Sequence, residues 1–97
     1  MKIAVVCEGF TPERLIAQPW NFTYKLASHL SDLGVNASIV TDSQVKGVTK
    51  RRIGLNEVFI LPKNRALPLM GGVMSKKALR RLLKEMKPDV LIWIGYP

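Results

Sequence analysis

The chain of 97 residues is long enough for one folded domain and too short for an enzyme that closes two domains around two substrates. Its hydrophobic content of 47% and charged content of 23% are typical of a globular protein and exclude a disordered chain. Fifteen lysines and arginines against seven acids give a net charge of +8, which favours an anionic partner.

Cysteine and histidine usage excludes several kinds of site. Cys7 is the only cysteine, so the chain has no intrachain disulfide and no cysteine-built zinc site, as in a protein of the reducing cytosol. His29 has no second histidine or cysteine at metal spacing, and we expect no metal. The sequence contains neither a signal peptide nor 18 consecutive apolar residues. We therefore expect a cytoplasmic protein that is at most peripheral at the inner face of the membrane.

The first half of the chain predicts a strand, a helix and a second strand. Residues 3–7 form an apolar run typical of a strand that is buried on both faces. A helix follows from Asn21 and ends at Gly34, where a left-handed cap is expected. Its predicted core face consists of Phe22, Leu26, Leu30 and Leu33. Residues 35–41 alternate as a second strand.

The second half predicts a third strand, a second helix and a fourth strand. Residues 44–56 are polar and contain Lys50, Arg51 and Arg52, which indicates a surface connection. Residues 58–61 form a strand that Pro62 stops, and residues 63–73 form a loop. Ser75 caps a helix over residues 76–86. Residues 90–94 are apolar throughout and predict another buried strand.

This order of elements predicts a single domain of the α/β class over residues 1–97. Buried first and last strands with intervening helices favour a parallel sheet with helices on both faces, in three layers. For the four predicted strands we expect the order 3-2-1-4. Such sheets bind ligands beyond the carboxyl ends of their strands. Here those ends are followed by residues 8–21, 42–43, 62–65 and 95–97.

The connection after the first strand is a candidate binding loop because it is about a dozen residues long. It lacks the glycine patterns of dinucleotide-binding folds and P-loops, so we expect no nucleotide cofactor. The candidate substrate-binding residues at the predicted ligand edge are Glu8, Gly9, Phe10, Gln18, Trp20, Asn21, Gly95 and Tyr96. The alternative role for Phe10 and Trp20 is to cover the edge of the sheet.

The helix over residues 76–86 places cations on one face and leucines on the other. The candidate contacts for an anion or a membrane are Lys76, Lys77, Arg80, Arg81 and Lys84. A solvated outer face is the alternative, although Lys76 and Lys77 stand in the first turn, where the helix dipole favours anions. We do not expect nucleic acid, because aromatic residues do not alternate with the basic ones.

In their order along the chain, these segments resemble the N-terminal domain of glycosyltransferase family 4. The resemblance begins with Met1-Lys2-Ile3-Ala4-Val5-Val6 and Phe10-Thr11-Pro12. It continues through residues 24–30, with Leu26-Ala27 and Leu30, and through residues 33–41, which end at Thr41. Leu82-Leu83 and Lys87-Pro88-Asp89-Val90-Leu91 are similar to the family's segment that enters its fourth strand.

The resemblance implies a Rossmann-like domain that forms the acceptor side of a retaining glycosyltransferase. A nucleotide-sugar donor would be held mainly by a separate C-terminal domain, and a sugar or lipid-linked acceptor by this one. We therefore expect the chain to be the first part of a longer domain and to be inactive alone. No catalytic residue is assigned, because residues 17–20 lack the family's paired glycines and residues 94–96 lack its histidine.

A different class of function is also open at this point. The chain could be a non-enzymatic basic α/β module that binds an anionic surface or partner, including the inner face of a membrane. A weaker third candidate, a flavodoxin-like binding domain, lacks the phosphate cradle expected for a flavin.

Overall fold

A computed structural model describes residues 1–8, 20–43, 47–64 and 73–94. In chain order, the elements within these residues are β1 (Lys2–Cys7), α1 (Trp20–Asp32), β2 (Asn36–Ser43), β3 (Thr49–Ile53), β4 (Asn56–Asn64), β5 (Val73–Met74), α2 (Lys76–Met86) and β6 (Val90–Ile94). The predicted α/β class is confirmed.

The sheet is mixed, with the strand order β3-β4-β2-β1-β6. β4, β2, β1 and β6 are mutually parallel, whereas β3 pairs antiparallel with β4. The two residues of β5 pair antiparallel with the end of β4. The four predicted strands correspond to β1, β2, β4 and β6. The expected four-stranded parallel sheet of order 3-2-1-4 is not found as such, because β3 adds an antiparallel strand beyond β4 and makes the sheet mixed.

β3 replaces most of the predicted surface connection over residues 44–56. Thr49 to Arg52 are all exposed, so this edge strand shows no hydrophobic alternation by which the sequence could reveal it. The antiparallel pair is closed by the two-residue turn Gly54-Leu55, and Gly54 adopts φ +61°, as a first turn position of this kind requires. Lys50 Nζ lies 2.7 Å from Glu57 Oε2 and 5.7 Å from the centre of the Phe59 ring.

Asn56 closes the other end of this turn and is almost fully buried, with 1% of its surface exposed. Its Nδ2 lies 3.1 Å from the Ala27 carbonyl oxygen, 2.7 Å from Ser31 Oγ and 3.0 Å from the Ala37 carbonyl oxygen. A single amide group thereby joins the start of β4 to α1 and β2. Its predicted place in a surface connection is wrong.

The two helices cover opposite faces of the sheet. α1 packs in a cluster with Cys7, Ile39 and Val58, whereas α2 packs in a cluster with Val6 and Val40. Because side chains alternate along each strand, adjacent residues of β1 and β2 enter different cores. The predicted helices on both faces are confirmed for the described helices.

The buried face of α1 differs from the predicted one. Phe22 and Leu33 are exposed, and the buried residues are Trp20, Thr23 and Ala27. The hydrophobic pattern of the sequence favoured the face with the largest apolar side chains, which includes Phe22 and Leu33. Small side chains at positions 23 and 27 instead allow the helix backbone to approach the sheet closely, and Trp20 fills the space at its first turn.

The ends of α2 are held by specific contacts. Ser75 Oγ accepts a hydrogen bond from the Ala78 N–H at 3.3 Å, as predicted for a capping serine. At the other end, Lys87 adopts φ +49° and its N–H donates to the Leu83 carbonyl at 2.9 Å. Lys2 Nζ donates to the Met86 carbonyl at 3.0 Å, so a cation lies at the negative end of the helix dipole.

β6 forms one edge of the sheet among the described strands, and its predicted full burial is wrong. Val90, Leu91 and Trp93 are exposed, while Ile92 and Ile94 are half-buried. The difference follows from position: an edge strand has a neighbour on one side only, and α2 lies over the central strands. The apolar run of residues 90–94 gives no indication of this.

Candidate binding edge of the sheet

The carboxyl ends of the parallel strands bring together residues that are far apart in sequence. Glu8 follows β1, Asp42 and Ser43 end β2, and Lys63 lies near the end of β4. The first turn of α1, beginning at Trp20, reaches the same end of β1. We call this region the carboxyl edge.

A buried ion pair joins Asp42 and Lys63 at the carboxyl edge. Lys63 Nζ donates to Asp42 Oδ2 at 2.7 Å, and the Asp42 side chain is 1% exposed whereas that of Lys63 is 22% exposed. A carboxylate this deeply buried is stable only with a paired charge and hydrogen bonds. Sequence reasoning placed both residues at the ligand edge but did not pair them, because the pairing depends on the register of β2 against β4.

Cys7 ends β1 beneath the carboxyl edge and is buried. Burial raises the pKa of its thiol, and the nearby charges of Glu8 and Asp42 act in the same direction, whereas a hydrogen bond with the Thr23 side chain opposes them. A raised pKa keeps the thiol protonated at neutral pH. Cys7 therefore contributes packing here and lacks the thiolate character of a nucleophile.

Trp20 forms the inner wall of the carboxyl edge. It is buried against Cys7, and its Nε1 donates a hydrogen bond to the Glu8 carbonyl at 3.0 Å. The side chains of Glu8 and Asn21 are half-buried at the same edge.

The structure describes three of the eight predicted substrate-binding residues. Glu8, Trp20 and Asn21 lie together at the carboxyl edge, so their predicted proximity is found, while substrate contact itself stays a prediction. The other five predicted residues lie outside the described part of the chain: Gly9, Phe10, Gln18, Gly95 and Tyr96.

The chemistry of the carboxyl edge is that of hydrogen bonding and charge. The Glu8 carboxylate can accept from the hydroxyl groups of a ligand and the Lys63 ammonium can donate to them. Asp42 is buried against Lys63 and supports this ammonium from below. Within the described residues, no three histidine, cysteine, aspartate or glutamate side chains are grouped so that they could hold a metal ion.

The five basic residues singled out on α2 are all exposed: Lys76, Lys77, Arg80, Arg81 and Lys84. Four of them, all but Lys76, line a surface depression of about 380 Å³. They lie on the outward side of α2, opposite the buried Leu79 and Leu82. An anion or membrane contact at these residues stays a prediction at this point.

In the described part of the chain, neither helix has the length and apolar character needed to cross a membrane. Comparisons of the sequence with protein family models and with curated proteins, and of the fold with solved structures, found no match.

Proposed function

We propose that this chain is the acceptor-binding portion of a retaining glycosyltransferase similar to family 4, and that its four parallel strands form a Rossmann-like unit. The observation that carries the proposal is the divergence of the two helical connections at β1. α1 leads from β1 to β2 on one face, and α2 leads into β6 on the other face. Ligands of α/β sheets bind beyond the carboxyl ends of strands at such a point.

The groups at this point suit a sugar hydroxyl. The Glu8 carboxylate follows the central strand β1, and the Asp42–Lys63 pair follows the adjacent β2 and β4. Carboxylates and ammonium groups accept from and donate to hydroxyls, and a half-buried setting strengthens such hydrogen bonds. In this proposal Glu8 contacts the acceptor directly, and the ion pair fixes the floor of the site.

The chain would bind and orient the acceptor without performing transfer alone. The resemblance implies that a separate domain holds the nucleotide-sugar donor and stabilises its diphosphate leaving group, an electrostatic task that needs cationic or backbone groups close to the phosphates. We also place the protein in the cytoplasm, because its buried Cys7 is unpaired.

Amide chemical shifts, followed by NMR during titration with a panel of acceptor saccharides, test the proposal. We expect shifts at Glu8, Trp20, Asp42 and Lys63, and none at the opposite end of the strands, where Glu57 lies. Replacement of Glu8 by glutamine should weaken binding by about tenfold, the loss of a hydrogen bond to a charged group.

Glu57→Gln is the matched control, because it removes an equal charge from the amino end of β4 and should leave the affinity unchanged. Equal losses in the two variants would contradict the proposal. So would saccharide-induced shifts confined to residues away from the carboxyl edge, or the absence of any shift across the panel.

A further inference from the structure

The outward side of α2 carries a dense cluster of cations, which we call the basic face of α2. Its members are Lys76, Lys77, Arg80, Arg81, Lys84 and Lys87, all of them exposed. At 100° per residue the five cations within α2 occupy one continuous arc, opposite the buried Leu79 and Leu82, and Lys87 follows the last turn.

Carboxylates of the described residues do not neutralise this face. The ion pairs found among these residues join Lys50 to Glu57 and Lys63 to Asp42, and neither includes a cation of α2. The acid of α2, Glu85, is exposed and forms no such pair. Cations four residues apart on a helix repel one another, and the first turn of α2, where the dipole favours anions, contains no acid. An anionic partner would remove this repulsion, whereas water and salt only screen it.

Two cations of β3 lie on the same side of the sheet as α2, together with Glu57, which pairs with Lys50. Lys50 pairs in register with Phe59, a residue that packs against the α2 core, and Arg52 lies two residues further along the same side of β3. The opposite side of the sheet carries Arg51 and, on α1, Lys25 and Asp32. Charge is therefore concentrated on the α2 side of the protein.

The same side exposes two large apolar residues. β6 pairs Trp93 with Val6 and Leu91 with Ala4, and Val6 lies in the core beneath α2. Paired residues of parallel strands point to the same face, so Trp93 and Leu91 stand beside α2. They are 53% and 46% exposed. Cations next to an exposed tryptophan and leucine are typical of surfaces that bind at the lipid–water interface.

We propose that the α2 side of the protein binds the surface of an anionic lipid bilayer. The basic face contacts lipid phosphates, while Trp93 and Leu91 enter the interfacial layer. Nucleic acid fits this side less well, because the basic face offers no amide or hydroxyl side chain for reading bases, and Trp93 alone does not form a row of aromatic residues for stacking them. The proposal goes beyond acceptor binding and does not depend on it, because the carboxyl edge contributes none of these residues.

Vesicle binding tests the proposal directly. We expect the chain to bind vesicles that contain phosphatidylglycerol, to ignore pure phosphatidylcholine vesicles, and to be released as salt is raised. Equal binding to both kinds of vesicle would overturn the proposal. So would tighter binding to RNA than to the anionic vesicles at the same ionic strength.

A matched pair of double variants distinguishes binding through the basic face from binding that depends only on the net charge of the protein. Arg80→Gln with Lys84→Gln removes two cations from the basic face, and Lys25→Gln with Arg51→Gln removes two from exposed positions on the opposite side. Because each cation near an anionic surface contributes about fivefold in binding, the loss of two should weaken binding roughly 25-fold in the first variant. The second should lose less than about threefold. Equal losses in the two variants would overturn the assignment of the face.

Quenching by brominated lipids tests the orientation. Trp93 is exposed and Trp20 is buried, so bromine atoms at the interface should quench Trp93 only. Trp93→Phe should abolish the quenching while the protein still binds. Quenching that persists in this variant, or none in the bound wild type, would contradict the proposed orientation.

Discussion

Removal of the Asn56 side-chain amide should reveal how strongly one buried group holds α1, β2 and the β3–β4 turn together. Its Nδ2 lies within 3.1 Å of three oxygens, two of them backbone carbonyls, and the residue is 1% exposed. In Asn56→Ala, the lost hydrogen bonds cost roughly 1–3 kcal/mol and the unfilled volume adds about 1 kcal/mol. We therefore expect the free energy of unfolding to fall by about 2–4 kcal/mol.

Urea denaturation followed by far-UV circular dichroism measures this change. With a slope near 1.5 kcal/mol per molar urea, a typical value for a small domain, the midpoint should fall by roughly 1.3–2.7 M. Asn56→Asp keeps the shape of the side chain but sets a carboxylate oxygen against acceptors, so it should be destabilised at least as much.

Asn36→Ala is the control, because Asn36 is exposed at the start of β2 and its replacement should change the midpoint little. The reasoning would be refuted if Asn56→Asp were as stable as the wild type, since an acceptor would then serve at Nδ2 as well as a donor.

Two further predictions concern the turn and the thiol. Gly54→Ala forces a side chain into φ +61° and should lower Tm by about 4–8 °C in a thermal melt. Gly47→Ala, where no positive φ is required and no atom crowds the new methyl, should not, and equal effects would count against the turn geometry. Because the pKa of Cys7 is raised by burial, its thiol should react with Ellman's reagent far more slowly in the folded protein than in urea. Equal rates would show that Cys7 is accessible in the fold.

The parts of the fold that follow hydrophobic periodicity were predictable from sequence. The apolar run of β1 and the leucine spacing of α2 each place their element close to its observed position, and Ser75 caps α2 as expected. In α2 the basic residues also separate cleanly from the buried leucines. Patterns like these succeed because one local segment contains the whole signal.

The parts that depend on neighbours were not predictable. β3 has no buried side chain, so its pairing with β4 leaves no hydrophobic pattern in the sequence. α1 turns small residues toward the sheet and leaves Phe22 exposed. At the carboxyl edge, the contact between Asp42 and Lys63 requires the strand register. Each of these features is set by tertiary packing, which overrides the local helix and strand propensities of the sequence.

The two edges of the described sheet differ in how readily they can pair with a further strand. Lys50, Arg51 and Arg52 crowd the β3 edge with positive charge, which opposes the approach of another strand from a chain that is itself basic. β6 carries no charge between Val90 and Ile94, and it contains no proline that would block backbone pairing. Any strand that enlarges this sheet, whether from the same polypeptide or from another, should therefore add at β6.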